Sequence, residues 1–138
     1  MKSKTKLLKS RRKSYRTSQN VLISFRYAFN GIKYTFKNSR NFKIQFFLAS
    51  FSLTLGFILQ FDKNDYLILL VTIFSVLILE ILNTTIESLV DLVVKKRFSK
   101  LAKITKDSSA GAVLLASINS VIIALYLFIP KIKLLFLN

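Results

Sequence analysis

Three carboxylates and one amide recur along a strongly apolar part of this chain. Glu80, Asn83, Glu87 and Asp91 stand inside the apolar stretch 66–94 and include three of the chain's six acidic residues. At about 100° per residue, these four side chains fall within an arc of about 80° on one helix face. An ionised side chain in hydrocarbon costs on the order of 3 kcal/mol, so the stripe is expected to face protein or water. Carboxylates so arranged could act as a general base and bind a hard cation such as Mg²⁺.

The rest of the composition narrows the available chemistry. The sequence contains neither cysteine nor histidine. Their absence excludes disulfides, thiolate and imidazole metal ligands, and a cysteine nucleophile. The glycine-rich loops G-x-x-x-x-G-K-[ST] and G-x-G-x-x-G are also absent, which excludes a soluble kinase fold built on them. Any catalysis must therefore use carboxylates, Lys or Arg, and hydroxyl groups, with Mg²⁺ as the natural cofactor.

The elements that must position these groups are membrane-spanning helices. The chain has 138 residues, of which 52% are hydrophobic, yet its formal net charge is +16. This combination is typical of a small integral membrane protein with cationic ends. Apolar stretches at about 44–61, 66–94 and 110–129 approach or exceed the roughly 20 residues that cross a bilayer, and Pro130 is expected to close the third. The predicted fold is therefore all-α and multi-pass.

The N-terminal part is predicted to lie at the membrane surface. In residues 21–37 the apolar positions recur at helical spacing and the basic positions occupy the opposite side, which favours an amphipathic surface helix. Residues 1–18 form a basic tail that we expect to be disordered and attracted to anionic lipid. Nucleic-acid anchoring and a cleaved organellar targeting segment are weaker interpretations of the tail, and no nucleic-acid partner is expected. Residues 19–138 are predicted to form a single domain.

Charge in the loops predicts the orientation. Loop 62–65 is short and nearly neutral, whereas loop 95–106 holds six Lys or Arg residues. The positive-inside rule places the N-terminus and loop 95–106 in the cytoplasm, although Lys131 and Lys133 then lie outside. The carboxylate stripe would reach the cytoplasmic side of a bacterial inner membrane, or of an organellar membrane of bacterial descent. Asp91, nearest the basic loop, is expected to pair with a Lys or Arg there.

Two segments carry a family resemblance. The sequences E-I-L-N-T-T-I-E-S-L-V-D at 80–91 and A-K-I-T-K-D-S-S-A-G-A-V at 102–113 closely resemble the prokaryotic diacylglycerol kinase family, which includes the undecaprenol kinases of Gram-positive bacteria. Segments 25–33 and 38–43 resemble its surface helix and the turn into its first span, so the likeness covers about 20–130. It implies a homotrimer of three-helix protomers with active sites shared between neighbours. It also implies ATP and Mg²⁺ as co-substrates and a lipid hydroxyl as the phosphate acceptor.

The resemblance assigns roles to residues of the stripe and of the third span. Glu80 matches the family's general base beside the lipid hydroxyl. Glu87 matches its metal-binding glutamate, and Asn83 is its neighbour in the nucleotide site. Lys106 and Asp107 match a pair that contacts the nucleotide phosphates and the cation.

Two further residues are assigned in the same way, and simpler interpretations stay open. Tyr27 matches an aromatic residue near the nucleotide, although aromatic residues are common at membrane interfaces anyway. Ala110 is placed in the lipid site with Glu80. Glu80 could instead be an interhelical hydrogen-bonding residue, and Asp107 could cap the third helix.

The sequence also departs from the family pattern. Ser39 stands where the family usually has a second metal-binding glutamate, and the loop at 95–100 is cationic and one residue longer. These departures keep open a catalytically weakened homologue that acts as a structural or ion-conducting oligomer. The Ala110-Gly111 pair resembles the undecaprenol-kinase branch more than the diacylglycerol-kinase branch. The predicted lipid substrate is therefore undecaprenol or diacylglycerol, and this pair favours undecaprenol.

Overall fold

The computed structural model describes residues 21–95 and 97–137, and all regular structure within them is α-helical. This confirms the predicted all-α class. The four helices are α1 (Val21–Asn38), α2 (Arg40–Ile58), α3 (Lys63–Val94) and α4 (Lys100–Leu137). Helices α2 to α4 are long and apolar enough to cross a membrane, as predicted. The predicted basic tail 1–18 lies outside the described residues.

Helix α1 covers the range predicted for the surface helix. The chain divides into two compact units between Tyr34 and Thr35, so most of α1 belongs to the first unit and its last turn to the second. Tyr27 lies on the part of α1 that belongs to the first unit. That this helix lies on a membrane surface stays a prediction.

The turn between α1 and α2 is fixed by Ser39. Its backbone N–H donates to the Thr35 carbonyl at 2.7 Å, and its hydroxyl accepts from the Phe42 N–H at 3.1 Å as the N-cap of α2. A serine cap supplies a partner for one of the unpaired N–H groups of the first turn. The Phe36 ring meets Phe42 and Phe46 edge-on, with centroids 6.2 and 5.6 Å away. These contacts set where α2 starts.

The turn between α2 and α3 is tight and capped on both sides. Gln60 adopts a left-handed backbone with φ of 52°, and the Phe61 N–H donates to the Gly56 carbonyl at 3.0 Å. A Cβ at Gly56 would lie 3.1 Å from the Phe61 ring, so any larger residue would have to push the ring away by a few tenths of an ångström. Asp62 and Asp65 form a reciprocal capping box that begins α3.

An apolar cluster holds this end of the bundle together. Its buried members, from the α2–α3 turn, α3 and α4, are Phe61, Leu69, Leu127 and Phe128. The rings of Phe61 and Phe128 pack with centroids 4.8 Å apart. The cluster joins α3 and α4 at the end opposite the basic loop.

Lys131 is tied to the same end by charge. Its Nζ lies 3.1 Å from the Asp65 carboxylate and 3.8 Å from the Asp62 carboxylate, and 5.9 Å from the centre of the Phe61 ring. This lysine opposed the orientation predicted from loop charge. Its two carboxylate partners join the end of α4 to the start of α3, and the orientation stays a prediction.

Helix α4 is longer than the predicted span 110–129. It begins at Lys100, where the Ser99 hydroxyl accepts from the Ala102 N–H at 3.4 Å. The interpretation of Asp107 as the helix cap is therefore wrong, because Asp107 lies inside the helix. The expectation that Pro130 closes the span is also wrong, since the helix continues through Pro130 to its end. Proline without its N–H is tolerated in transmembrane helices when neighbouring groups support the backbone.

Candidate active site

The carboxylate stripe of α3 faces its neighbouring helices, beginning with Glu80. Glu80 is 2% exposed, and its Oε1 accepts a hydrogen bond from the Ser39 hydroxyl at 2.7 Å. Its Oε2 is buried and has no hydrogen-bond partner among the described residues. Buried polar atoms are normally paired, so an unpaired carboxylate oxygen calls for a functional explanation.

One turn further along α3, Asn83 connects the stripe to α4. Asn83 is buried, its Oδ1 accepts from the Ser109 hydroxyl, and its Nδ2 donates to Glu87 Oε1 at 3.1 Å. The amide therefore uses both of its ends, which fixes its orientation. Glu87 is exposed, so its carboxylate is accessible while one of its oxygens is held by Asn83.

At the basic end of the stripe, Asp91 pairs with Lys106. The Lys106 Nζ lies 2.6 Å from Asp91 Oδ1, and both side chains are partly exposed. The predicted pairing of Asp91 with a cation of the basic loop region is confirmed. The pair bridges the end of α3 to the second turn of α4.

A groove opens between the three spanning helices beside Glu80. We call it the carboxylate groove, and its volume is about 340 Å³. Its walls are formed by Asn41, Ile44, Gln45, Leu48, Glu80, Asn83, Ala110, Val113, Leu114 and Ser117. Five of these residues are apolar and five are polar, a mixture that can bind an amphipathic small molecule.

A second cavity lies at the loop end of α3 and α4. We call it the basic cavity, and its volume is about 410 Å³. Its walls are formed by Val90, Asp91, Val94, Arg97, Phe98, Ser99, Ala102, Lys103, Lys106 and Asp107. Three of these residues are cations and two are carboxylates, so the lining has a small excess of positive charge that would favour an anionic ligand. Glu80 and Asp91 are eleven positions apart on α3, about 16 Å along the helix axis. The cavities come closer on α4, where Asp107 of the basic cavity and Ala110 of the carboxylate groove are three positions apart, about 4.5 Å.

The structure brings five of the predicted site residues into two groups, with Glu80 and Asn83 on α3 and Lys106, Asp107 and Ala110 on α4. Glu80, Asn83 and Ala110 share the carboxylate groove, whereas Lys106 and Asp107 line the basic cavity. The groups are joined through the stripe of α3. The roles assigned to these residues stay predictions.

The remaining two predicted residues, Glu87 and Tyr27, line neither of these cavities. Glu87 lies on α3 between the residues that line them, bonded to Asn83. Tyr27 belongs to the first compact unit, and its predicted nucleotide contact stays a prediction.

The donor set around Glu87 is compatible with Mg²⁺ only if phosphates complete the shell. Among the described residues, no group of three or more carboxylates could hold a metal by itself. Mg²⁺ commonly binds through one or two carboxylates together with water and substrate phosphates. The exposed carboxylate of Glu87 fits that pattern. Ser39, which the resemblance places at a second metal position, donates its hydroxyl to Glu80.

Sequence reasoning missed three features of the site. It did not identify Ser109, Gln45 or the contact of Ser39 with Glu80. Ser109 could have been found, because it follows Lys106 by three residues and so shares its helix face. Gln45 carried a weaker signal, as an amide near the start of an apolar span. The Ser39–Glu80 bond joins residues 41 positions apart, and nothing local encodes it.

Comparison with known proteins identifies the family. The family model for prokaryotic diacylglycerol kinase matches residues 26–128. The chain is 42% identical over 120 residues to a diacylglycerol kinase of Synechocystis, covering 87% of this chain and 69% of the relative. It is 38% identical over 120 residues to the undecaprenol kinase of Bacillus subtilis, covering 86% and 97%. A diacylglycerol kinase of Haemophilus influenzae is 30% identical over 97 residues, covering 70% and 81%. The chain therefore belongs to the prokaryotic diacylglycerol kinase family.

Proposed function

We propose that this protein phosphorylates the hydroxyl group of a membrane lipid at the carboxylate groove, with ATP as the phosphate donor. The observation that carries the proposal is Glu80, a buried carboxylate with one oxygen anchored and the other unpaired beside the groove. A lipid hydroxyl would supply the missing donor. Membership of a family of lipid kinases supports the reaction, and two relatives are named for diacylglycerol and one for undecaprenol.

The proposed step transfers one proton and one phosphoryl group. The lipid O–H donates its hydrogen bond to Glu80 Oε2, and the proton passes to that oxygen as the lipid oxygen attacks the γ-phosphorus. The bond between the γ-phosphorus and the β–γ bridging oxygen breaks, and ADP leaves. A positioned general base contributes about 10²–10⁴ to such a rate. Holding the two reactants in line contributes further.

The basic cavity is the proposed site of the nucleotide phosphates. Lys106 and Asp107 line it together with Arg97 and Lys103. A polyanion would meet Arg97 and Lys103 directly, and Lys106 would exchange its partner Asp91 for a phosphate oxygen. Glu87, on the same face of α3, would hold Mg²⁺ with the phosphates completing its coordination shell. When bound, Mg²⁺ neutralises charge on the β- and γ-phosphates.

The proposal includes the membrane setting and the assembly. In each spanning helix only 11–22% of the positions in the apolar window are buried within the chain. The remaining apolar surface must face lipid or other copies, which supports the homotrimer implied by the family. The basic loop end is proposed to be cytoplasmic, where ATP is available. The basic tail 1–18 is proposed to bind anionic lipid.

A purely structural role explains less of the site. Interhelical hydrogen bonding accounts for the contacts of Ser39 with Glu80 and of Ser109 with Asn83. It leaves the buried, unpaired oxygen of Glu80 beside the groove without a purpose, and burying such a group is costly. The kinase proposal accounts for both oxygens.

The test is phosphate transfer from labelled ATP, with Mg²⁺, to diacylglycerol and to a short-chain polyprenol in mixed micelles. Glu80→Gln keeps the shape of the side chain and should lower the rate at least about a hundredfold on any lipid that the wild type phosphorylates. Thr85→Val is the matched control, because Thr85 is an exposed polar residue of the same helix whose hydroxyl bonds its own backbone. Full activity of Glu80→Gln would refute the assignment of the base, and no product from the wild type would refute the kinase.

A further inference from the structure

The carboxylate groove contains a second unpaired acceptor. Gln45 Oε1 is buried and has no hydrogen-bond partner among the described residues, as is true of Glu80 Oε2. Both side chains line the same groove, Gln45 from α2 and Glu80 from α3. These are the two buried side-chain atoms without a partner in the described part of the chain. Because both residues line one groove, the pair points to a ligand with more than one polar group.

A lipid alcohol with a single hydroxyl satisfies only one of these two atoms. Its O–H reaches Glu80 Oε2, and in a polyprenol the carbon next to the hydroxymethyl group carries no heteroatom. Gln45 would then stay unpaired against hydrocarbon, which disfavours that complex. A glycerol-based lipid differs at that neighbouring carbon, because it carries an oxygen there.

The amide of Gln45 can bind such an oxygen in either of its forms. As placed, Oε1 accepts from a second hydroxyl group, as in a monoacylglycerol. Rotation about the last side-chain bond exchanges oxygen and nitrogen, so that the amide donates to the ester of a diacylglycerol. The groove is shaped by residues spaced three and four apart on α2, so Gln45 is held on a rigid helix rather than on a loop.

We propose that Gln45 is a specificity-determining residue that binds the polar group adjacent to the reacting hydroxyl and so favours glycerol-based lipids over polyprenols. This inference rests on the proposed function. It runs against the interpretation of Ala110-Gly111 as a mark of the undecaprenol branch. Ala110 lines the groove too, but a methyl group offers no hydrogen bond with which to distinguish the headgroups.

The experiment compares kcat/KM for 1,2-diacylglycerol and for a short-chain polyprenol, measured in the same mixed micelles with the full-length protein. The variants are Gln45→Leu and Gln45→Met, two apolar side chains of similar volume but different shape. Thr54→Val is the matched control, because it removes an exposed hydroxyl of α2 that bonds only its own backbone in the structure. The wild type is expected to favour diacylglycerol. Both Gln45 variants should lose about tenfold on diacylglycerol and stay within about twofold on polyprenol.

The outcomes separate this inference from the proposed function. No product from the wild type with either lipid would refute the kinase, and this inference with it. An active wild type whose Gln45 variants lose equally on both lipids, or on neither, would overturn the inference alone. A selective loss on diacylglycerol in both variants, with Thr54→Val unchanged, supports it.

Discussion

Ser39 should control both the stability of α2 and the placement of the base. Its hydroxyl accepts from the Phe42 N–H and donates to Glu80 Oε1 at 2.7 Å. Removing a serine cap costs about 1 kcal/mol, and removing a hydrogen bond to a charged group costs about 1.5–3 kcal/mol. Ser39→Ala should therefore lower the free energy of unfolding by about 2.5–4 kcal/mol.

The two contributions can be separated by a second substitution. Glycine is nearly as good an N-cap as serine, so Ser39→Gly should lose little beyond the bond to Glu80, about 1.5–3 kcal/mol. Ser39→Thr keeps a hydroxyl that can make both contacts and serves as the control. The free energy of unfolding would be measured by SDS titration of the detergent-solubilised protein, followed by far-ultraviolet circular dichroism.

The same variants should lower catalysis. Without the Ser39 bond, Glu80 can rotate away from the groove, and a partial loss of base positioning should reduce kcat about tenfold at saturating lipid. Ser39→Ala and Ser39→Gly should lose similar amounts, because the cap takes no part in the chemistry. Wild-type kcat in both variants, together with an inactive Glu80→Gln, would show that Ser39 does not position the base.

Three further predictions concern the charges and the backbone. Ser39→Glu places a second carboxylate beside Glu80, so a cation should be recruited; the Mg²⁺ concentration for half-maximal rate should fall, and an unchanged value would contradict this. The Asp65 backbone N–H, helped by the Asn64 N–H and Lys131, lowers the pKa of Asp62 below its usual 3.8. The stabilisation that ionised Asp62 gives the folded state is therefore complete above the usual pKa of 3.8 and is lost as the pH falls through the lower pKa of the folded state. Thermal melts between pH 5 and 2.5 should show this loss in the wild type and less of it in Asp62→Asn. Gln60→Gly should raise the free energy of unfolding by about 0.5–1 kcal/mol, because it relieves a left-handed backbone; a decrease in the SDS titration would refute the strain.

The burial of the stripe was predictable, and its partners were not. The arc formed by Glu80, Asn83, Glu87 and Asp91 indicated a protected face, and the structure buries Glu80 and Asn83. Periodicity reports which side of a helix is polar but not which residue of another helix meets it. The contact with Ser39 depends on how α2 packs against α3, which no local pattern encodes.

Hydropathy alone did not predict where α4 begins. The start of α4 lies in the Lys-rich segment from Lys100 to Asp107, which is too polar to be counted as part of a span. Its helical signal is the cap at Ser99, and the acidic residue at Asp107 suggested a later start. In contrast, Asp62 and Asp65 have the spacing of a capping box and lie where a hydropathy change places the turn.

The lengths of α3 and α4 have a consequence for how the site is set in a bilayer. With 32 and 38 residues, the helices measure about 48 and 57 Å, well beyond the roughly 30 Å of the hydrocarbon layer. The helical residues that exceed the hydrocarbon thickness at the basic end would place Lys106 in water. The same two helices hold Glu80 in the groove. In the proposed kinase, the two helices would therefore hold the nucleotide site at a fixed distance from the lipid site. Bilayer thickness, through tilt and hydrophobic mismatch, then sets how deep the base lies beneath the headgroups.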